Sequence, residues 1–392
     1  MDSNNGPRML ILVAGAKGAV ASTLAVAVLR AQHDPQSILN SLTTVELFPY
    51  LGLPQDIDFA GWDKSPTNMS ESIRNHGVIP ESIWRCFEHQ LDELPLMTPP
   101  DSNAPMEEQV EKLTDDILAL KQRYPDCRPV MINLLPAANR LNNHIYNSLE
   151  DIYKAKNDKF LPDMTYLLAA IKCSIPFINF SSNEIEHPFV QDIAVNSGVP
   201  ICGRDGKTGQ TYFKVVLASA LKARKLYVDG WYSLNILGNS DGKNLDDPVK
   251  AESKLRNKTE LLDHILGYHV GERYGDTAHK VRIDYYPPRG DAKEAWDVID
   301  FLGIFGLPMS LRVNLQGRDS ILAAPMAIDL GRWMLALQGA DRSGFIPELA
   351  FFFKKPVGKN IPYTFEEQLL ELKNLQKICD RDYGKNKRRN NR

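Results

Sequence analysis

Residues Met9-Leu-Ile-Leu-Val-Ala-Gly15-Ala-Lys17-Gly18-Ala-Val-Ala21-Ser-Thr23 decide how this chain is read. The apolar run Met9–Ala14 does not alternate with polar residues, which suits a strand buried on both faces of a parallel sheet. Small residues follow, then an apolar helix to about Gln32. Strand, glycine turn and helix thus come in the order of a dinucleotide-binding fold. The spacing is Gly-x-x-Gly-x-x-Ala rather than Gly-x-Gly-x-x-Gly. Gly15 would permit the tight turn, Gly18 the close approach of a pyrophosphate, and Ala21 the packing of helix on strand. A plain βα turn that needs glycine for its geometry is the competing reading.

Working outward, Thr43–Leu47 reads as a second strand. Glu46 near its end is a candidate for ribose hydroxyls, although it lies 28 residues after Gly18 where about 20 is usual. Residues 91–106, rich in Pro, Asp and Ser, read as a surface excursion. A helix over Glu107–Tyr124 stops at Pro125, and Val130–Leu134 reads as a strand. Helix (about Met164–Cys173), strand (Pro176–Phe180), helix (about Pro188–Ser197) and strand (Val199–Cys202) follow, which predicts a doubly wound parallel sheet. After about Phe213 the pattern changes. Leu226–Ile236, Lys280–Tyr286 and Ser310–Leu315 alternate, as in an open, largely antiparallel sheet, before Asp319–Gln338 returns to a long apolar helix. The expected architecture is α/β. A Rossmann-like domain spans 1–211 and 319–392, and an inserted α+β domain spans 212–318, with no internal repeats.

At 392 residues, 43% hydrophobic and 24% charged, the composition is that of an ordinary globular protein. A net charge of −3 gives no electrostatic reason to bind nucleic acid, and the basic segment Lys385–Arg392 reads as a solvated end. No run of about 18 apolar residues predicts a bilayer span, and the first residues lack a basic-then-apolar leader pattern. The five cysteines (86, 127, 173, 202 and 379) are scattered without a Cys-x-x-Cys, and the eight histidines form no His-Glu-x-x-His. That fits a reducing cytoplasm and argues against both a disulfide framework and a histidine-held zinc.

Chemistry concentrates further along. In Gly203-Arg-Asp205-Gly-Lys207-Thr208 the Gly-Lys-Thr invites a phosphate-loop reading, but position 201 is Ile where that loop needs Gly. It is a glycine-rich turn after a parallel strand, at the edge where such sheets bind ligands. Asn235-Ile-Leu-Gly-Asn239-Ser-Asp241-Gly-Lys243-Asn244 is a second turn rich in amides and carboxylates. Asp247-Pro248 then starts a helix through Leu262 that carries Lys250, Lys254 and Lys258 on one face. A solvated helix face is the competing reading for those lysines. Lys293 and Lys354, the latter after three phenylalanines, stand in unusual settings. Clustered, desolvated ammonium groups titrate low, so one could act as base while another clamps phosphate. Asp329, inside an apolar helix, needs a partner, and a lysine would serve. The set suits a phosphorylated, polyhydroxylated substrate.

Gly203–Thr211, Leu234–Leu245, Asp284–Lys293, Asp319–Leu330 and Phe351–Lys354 resemble segments of the myo-inositol-1-phosphate synthase family. Gly61-Trp62-Asp63 is similar to a Gly-Trp-Asp of that family. The compact length resembles its archaeal and bacterial branch. The resemblance implies conversion of glucose 6-phosphate to 1L-myo-inositol 1-phosphate with NAD regenerated at each turnover. It implies Lys254 and Lys354 at the reacting carbons, Lys293 for the hydride and proton steps and Lys258 towards the phosphate. Asp205, Asp241 and Asp329 would orient them, and Asn235, Asn239, Lys207 and Thr208 would bind substrate. It also places Gly15, Ala16, Lys17, Gly18, Ala19, Val20, Asp63, Asn133 and Asp205 around the cofactor. Asn239 and Asp241 are candidate ligands for a divalent or monovalent cation, and the inserted domain is expected to build a homotetramer. The chain departs from the family at Leu134–Asn139, Ser181–Asn183 and Arg204, and Lys17 could favour NADP over NAD. The alternatives are a related cyclitol-phosphate synthase and a non-catalytic NAD-binding regulator.

Overall fold

The structure, a computed structural model, describes residues 6–138, 145–155, 159–238 and 261–390. The chain divides into two compact units. The first comprises Met1–Gly206, Ala323–Asn360 and Leu372–Arg392, the second Lys207–Leu322 and Ile361–Glu371. The expected insert was 212–318, whereas the second unit begins inside the glycine-rich segment and takes in a late stretch as well.

In chain order the main elements are β1 (Arg8–Ala14), α1 (Ala19–His33), β2 (Ile57–Trp62), β3 (Leu96–Met97), α2 (Met106–Arg123), β4 (Cys127–Asn133), α3 (Pro162–Lys172), β5 (Phe177–Asn179), α4 (Pro188–Asn196), β6 (Pro200–Gly203), α5 (Gln210–Ala223), β7 (Tyr227–Leu237), β8 (His279–Tyr285), β9 (Lys293–Leu302), β10 (Pro308–Gly317), α6 (Asp319–Gly339), β11 (Gly344–Phe345) and α7 (Phe365–Asn390).

The first unit carries a seven-stranded sheet in the order β11-β6-β5-β4-β1-β2-β3, with every pairing parallel. Strand order reverses between β1 and β4, so the crevice beyond their carboxyl ends is a topological switch point, where open α/β sheets bind ligands. The lack of alternation in β1 is explained by its packing. Met9, Ile11 and Val13 join one core with α1 and α6. Leu10, Leu12 and Ala14 join the other with α2, α3 and α4. Helix α6 is long and apolar enough to cross a membrane, but 78% of its most apolar stretch is buried in the protein, as in a core helix.

The expected strand at Thr43–Leu47 is not formed. The strands beside β1 are β4 and β2, the latter in register Ile11 to Phe59, and Thr43–Thr44 instead bond a carboxylate of α6. Glu46, exposed in that loop, is therefore not at a strand end.

The second unit carries a four-stranded sheet, β10-β9-β7-β8, antiparallel except for the parallel pair β7–β8. Strand β9 had no sequence signal of its own, because Lys293, Glu294, Asp297 and Asp300 break the apolar alternation. One face packs under α5 and a helix over 261–266, with Val215, Ala218, Trp231, Leu262, Ile265 and Ile299 at its centre. The opposite face leaves Tyr232 and Trp296 each 44% exposed, and the β9–β10 hairpin exposes Ile304, Phe305 and Leu307.

Candidate functional site

In the first unit the glycine turn joins β1 to α1 at the switch point. Gly15 has φ +82°, and a side chain there would also meet the Leu134 carbonyl at 3.1 Å, so glycine is required twice over. Gly15 and Ala16 N–H groups donate to the Trp62 carbonyl. Gly18 is the N-cap of α1 and makes no side-chain cap, so the first-turn N–H groups at Ala19 and Val20 are open to an anion. Asp63, just past β2, accepts from the Lys17 N–H at 2.8 Å and from the Ser65 N–H at 2.8 Å. An acid at this strand end is where ribose hydroxyls are bound in such folds. The Lys17 ammonium donates to the Ser65 and Thr67 carbonyls and so closes the loop after Asp63. A donor spent on two carbonyls is a weaker candidate for an extra phosphate, which bears on the NADP expectation. This turn, this helix end and this carboxylate fit a dinucleotide.

The carboxyl edge of β4, β5 and β6 carries a buried polar network that the sequence did not announce. Asn133 Nδ2 donates to Asp163 Oδ1 at 2.7 Å and to Asn179 Oδ1 at 3.0 Å. Asn183 Nδ2 donates to Asp163 Oδ1 at 2.9 Å, and its Oδ1 accepts from the Ala138 N–H at 2.9 Å. Arg204 pairs with Glu186 at 3.4 Å and Glu184 at 3.1 Å. Burial raises the Asp163 and Glu186 carboxyls above their usual range, against the hydrogen bonds and, for Glu186, the Arg204 charge that lower them. Asn183 and Arg204, two of the departures from the family pattern, thus have defined partners here.

Asp205 and Lys354 meet in the same unit, Nζ to Oδ1 2.7 Å. Backbone bonds fix the pair: the Lys354 N–H donates to the Asp205 carbonyl and the Arg204 N–H to the Lys355 carbonyl. A side chain at Gly206 would collide with the Phe180 ring at 2.1 Å, so only glycine lets this segment lie against it. Asp329 departs from expectation. Among the described residues no lysine partners it. Its carboxylate accepts from the N–H and hydroxyl of both Thr43 and Thr44, at 2.7–3.0 Å. Desolvation raises its pKa despite those bonds. It anchors the loop before β2 onto α6 rather than orienting a site lysine.

In the second unit Lys293 pairs with Asp319, Nζ to Oδ2 3.3 Å, and the Thr208 hydroxyl donates to Asp319 Oδ1 at 2.9 Å. Asp319, not Asp329, is thus the acid of α6 that pairs with a lysine among the described residues. It was missed because an acid in the first turn of a helix reads as dipole compensation. Lys207, 3% exposed, donates to Gln368 Oε1 at 2.9 Å, and burial lowers its pKa to about 7. Asn235, 1% exposed on β7, has neither carboxamide atom hydrogen-bonded within the described residues, so it offers a donor and an acceptor to an oxygen-rich ligand. Asn239, Asp241, Lys250, Lys254, Lys258 and most of the expected helix from Asp247 lie outside the described residues. Among the described residues no three His, Cys, Asp or Glu side chains gather as metal ligands.

Comparison with known proteins agrees with this chemistry. Residues 209–320 match the family model described as myo-inositol-1-phosphate synthase. An inositol-3-phosphate synthase 1 of Bacteroides thetaiotaomicron is 35% identical over 92% of this chain and 91% of its own length. The inositol-3-phosphate synthase of Mesembryanthemum crystallinum is 30% identical over 83% of this chain and 71% of its own. The crystal structure of the Caenorhabditis elegans inositol-3-phosphate synthase superposes with a TM-score of 0.81 at 21% identity, covering 95% of this chain and 86% of that one. A myo-inositol-1-phosphate synthase-related protein of Thermotoga maritima gives 0.73 at 22%, covering 95% and 98%. With a glycine turn, paired lysines and this full-length similarity on one chain, the protein belongs to the inositol-3-phosphate synthase family.

Proposed function

We propose that the protein converts D-glucose 6-phosphate to 1L-myo-inositol 1-phosphate, a redox-neutral isomerisation that uses NAD. The observation that carries this reading is the pair of lysine–carboxylate sites, Lys354–Asp205 and Lys293–Asp319, in a chain similar to these synthases over nearly its whole length. Gly15, Ala16, Lys17, Gly18, Ala19, Val20 and Asp63 would hold the cofactor, with Asn133 and Asp205 nearby in the first unit. NAD, when bound, supplies acceptance of a hydride from C5 of the open-chain sugar and its later return.

A ketone at C5 makes the C6 proton acidic, and a lysine held as free base removes it. We assign that task to Lys254, whose amine becomes an ammonium as it takes the proton, while Lys354, an ammonium held against Asp205, neutralises the enolate oxygen. The C6 carbon then bonds to the C1 aldehyde carbon, and the oxygen at C1 takes the negative charge. A neighbouring ammonium stabilises that oxyanion and protonates it. Lys293, with Asp319 beside it, takes the proton of the C5 hydroxyl as the hydride leaves and gives it back on re-reduction. Lys258 and Lys207 serve the phosphate, with Thr208, Asn235 and Asn239 on hydroxyls. Asp205, Asp241 and Asp319 fix the ammonium groups.

Five free cysteines support the expected cytoplasmic placement. The exposed outer face of the second sheet supports a homotetramer. The reaction is tested by incubating the protein with glucose 6-phosphate and sub-stoichiometric NAD, following products by phosphorus and proton NMR. Inositol 1-phosphate without accumulated NADH is expected. NADH accumulating without a cyclised product would overturn the reading.

A further inference from the structure

We propose that Lys214 is a positioning residue for Lys293 and Asn235, acting through a buried ionic bar that it forms with Asp297 by way of Ser233. The inference rests on reading Lys293 as part of the reacting site. Lys214 lies on α5 and is 3% exposed. Its ammonium donates to Ser233 Oγ at 3.1 Å, bonds His279 Nε2 at 2.8 Å and lies 5.4 Å from the centre of the Trp231 ring. Ser233 donates onward to Asp297 Oδ1 at 2.5 Å. Asp297, 7% exposed, also receives Trp231 Nε1 at 2.7 Å and, on Oδ2, Gln210 Nε2 at 2.8 Å.

Strand register ties this bar to the site. Ser233 faces Asp297 across β7 and β9, and Asn235 faces Ala295. Side chains alternate along a strand, so Ser233 and Asn235 share the buried face, as do Asp297, Ala295 and Lys293. The bar also grips the other end of the Lys293 pair. Gln210 opens α5, two residues after Thr208, and Thr208 holds the Asp319 carboxylate that receives Lys293. One buried charge pair therefore sets both the strand that presents Lys293 and the turn that holds its partner. Burial lowers the Lys214 pKa to about 8, and Asp297 opposes that shift. A buried cation of this kind is retained only where its partners are fixed.

The test is steady-state kinetics on Lys214→Met, Asp297→Asn and the double variant, with the wild type alongside. Each single change should lower kcat about tenfold or more while KM for glucose 6-phosphate stays within about twofold. The double variant should be no slower than the worse single, because the two groups act as a unit. A Lys214→Met enzyme with kcat within about twofold of wild type, or losses that multiply, would overturn the proposal. If the single variants do not fold, Ser233→Ala decides, since it removes only the bridging hydroxyl. A lowered kcat at an unchanged thermal midpoint supports the proposal, and an unchanged kcat overturns it. Absence of product from the wild type would instead refute the functional reading, and this inference with it.

Discussion

The two lysine–carboxylate pairs make a direct claim about side chains. Asp205→Asn keeps the shape of its site but removes the charge that holds Lys354. Activity should fall by about a hundredfold, and Lys354→Met should fall at least as far, both read from initial rates of inositol phosphate formation. Asp319→Asn should do the same through Lys293, whereas Asp329→Asn should mainly cost stability. Asp329→Ala leaves the donors of the buried Thr44 without an acceptor, a loss of about 1–3 kcal/mol by thermal or urea unfolding. Lys293 and Lys354 were legible in the sequence because a lysine amid aromatic or turn residues is chemically out of place. Asp319 and Asp329 were not separable there: both are acids of one apolar helix, and only the fold brings threonines to one and a lysine to the other. Lys207 and Lys214 give the molecule a pH signature. Folded pKa values of about 7 and about 8 lie below the ordinary lysine value of 10.5. Between those limits the unfolded chain holds protons that the folded chain has released, so stability should rise with pH. The thermal midpoint is expected to climb from about pH 7 to 8, below the range where the unfolded chain releases the protons of cysteines 127, 173, 202 and 379, which the fold holds more tightly, and to climb less in Lys214→Met. A wild-type midpoint that falls over that interval would contradict these two shifts.

Elements differ in how clearly their residues announce them. Strand β1, its glycine turn and α1 were readable because burial on both faces leaves an unbroken apolar run. Thr43–Leu47 misled because β-branched residues favour strands only where a sheet can receive them. Its threonines are used instead to bond Asp329. Strand β9 was hidden by its charged residues: its inward face carries Lys293 and Asp297, so a face that is buried does not look apolar. The closeness of Gly206 to Phe180 gives an element-level test. Gly206→Ala should displace the pairing of Asp205–Gly206 with Phe353–Lys354 and lower both stability, by about 1–3 kcal/mol, and activity. Adding Phe180→Leu should recover much of the stability, as read by thermal unfolding.

At the scale of the molecule, one parallel sheet carries the glycine turn and a second, mixed sheet carries Asn235 and Lys293. The change from unbroken apolar strands to alternating ones led to an expected insert of 212–318, while the second compact unit starts at Lys207, inside the Gly203–Thr211 segment, and also takes in Ile361–Glu371. The exposed Tyr232 and Trp296, with the Ile304–Leu307 hairpin tip, are expected to lie in subunit contacts. Sedimentation should give four times the 44.1 kDa chain mass, and Trp296→Lys should shift it downward. The most direct measurement follows a deuterium placed at C5 of glucose 6-phosphate. With sub-stoichiometric NAD, the inositol phosphate formed should keep that deuterium at the same carbon, seen by proton NMR and mass, since hydride removed there is returned there. Product that has lost the label to water, or label collecting in NADH without cyclised product, would contradict a redox-neutral synthase.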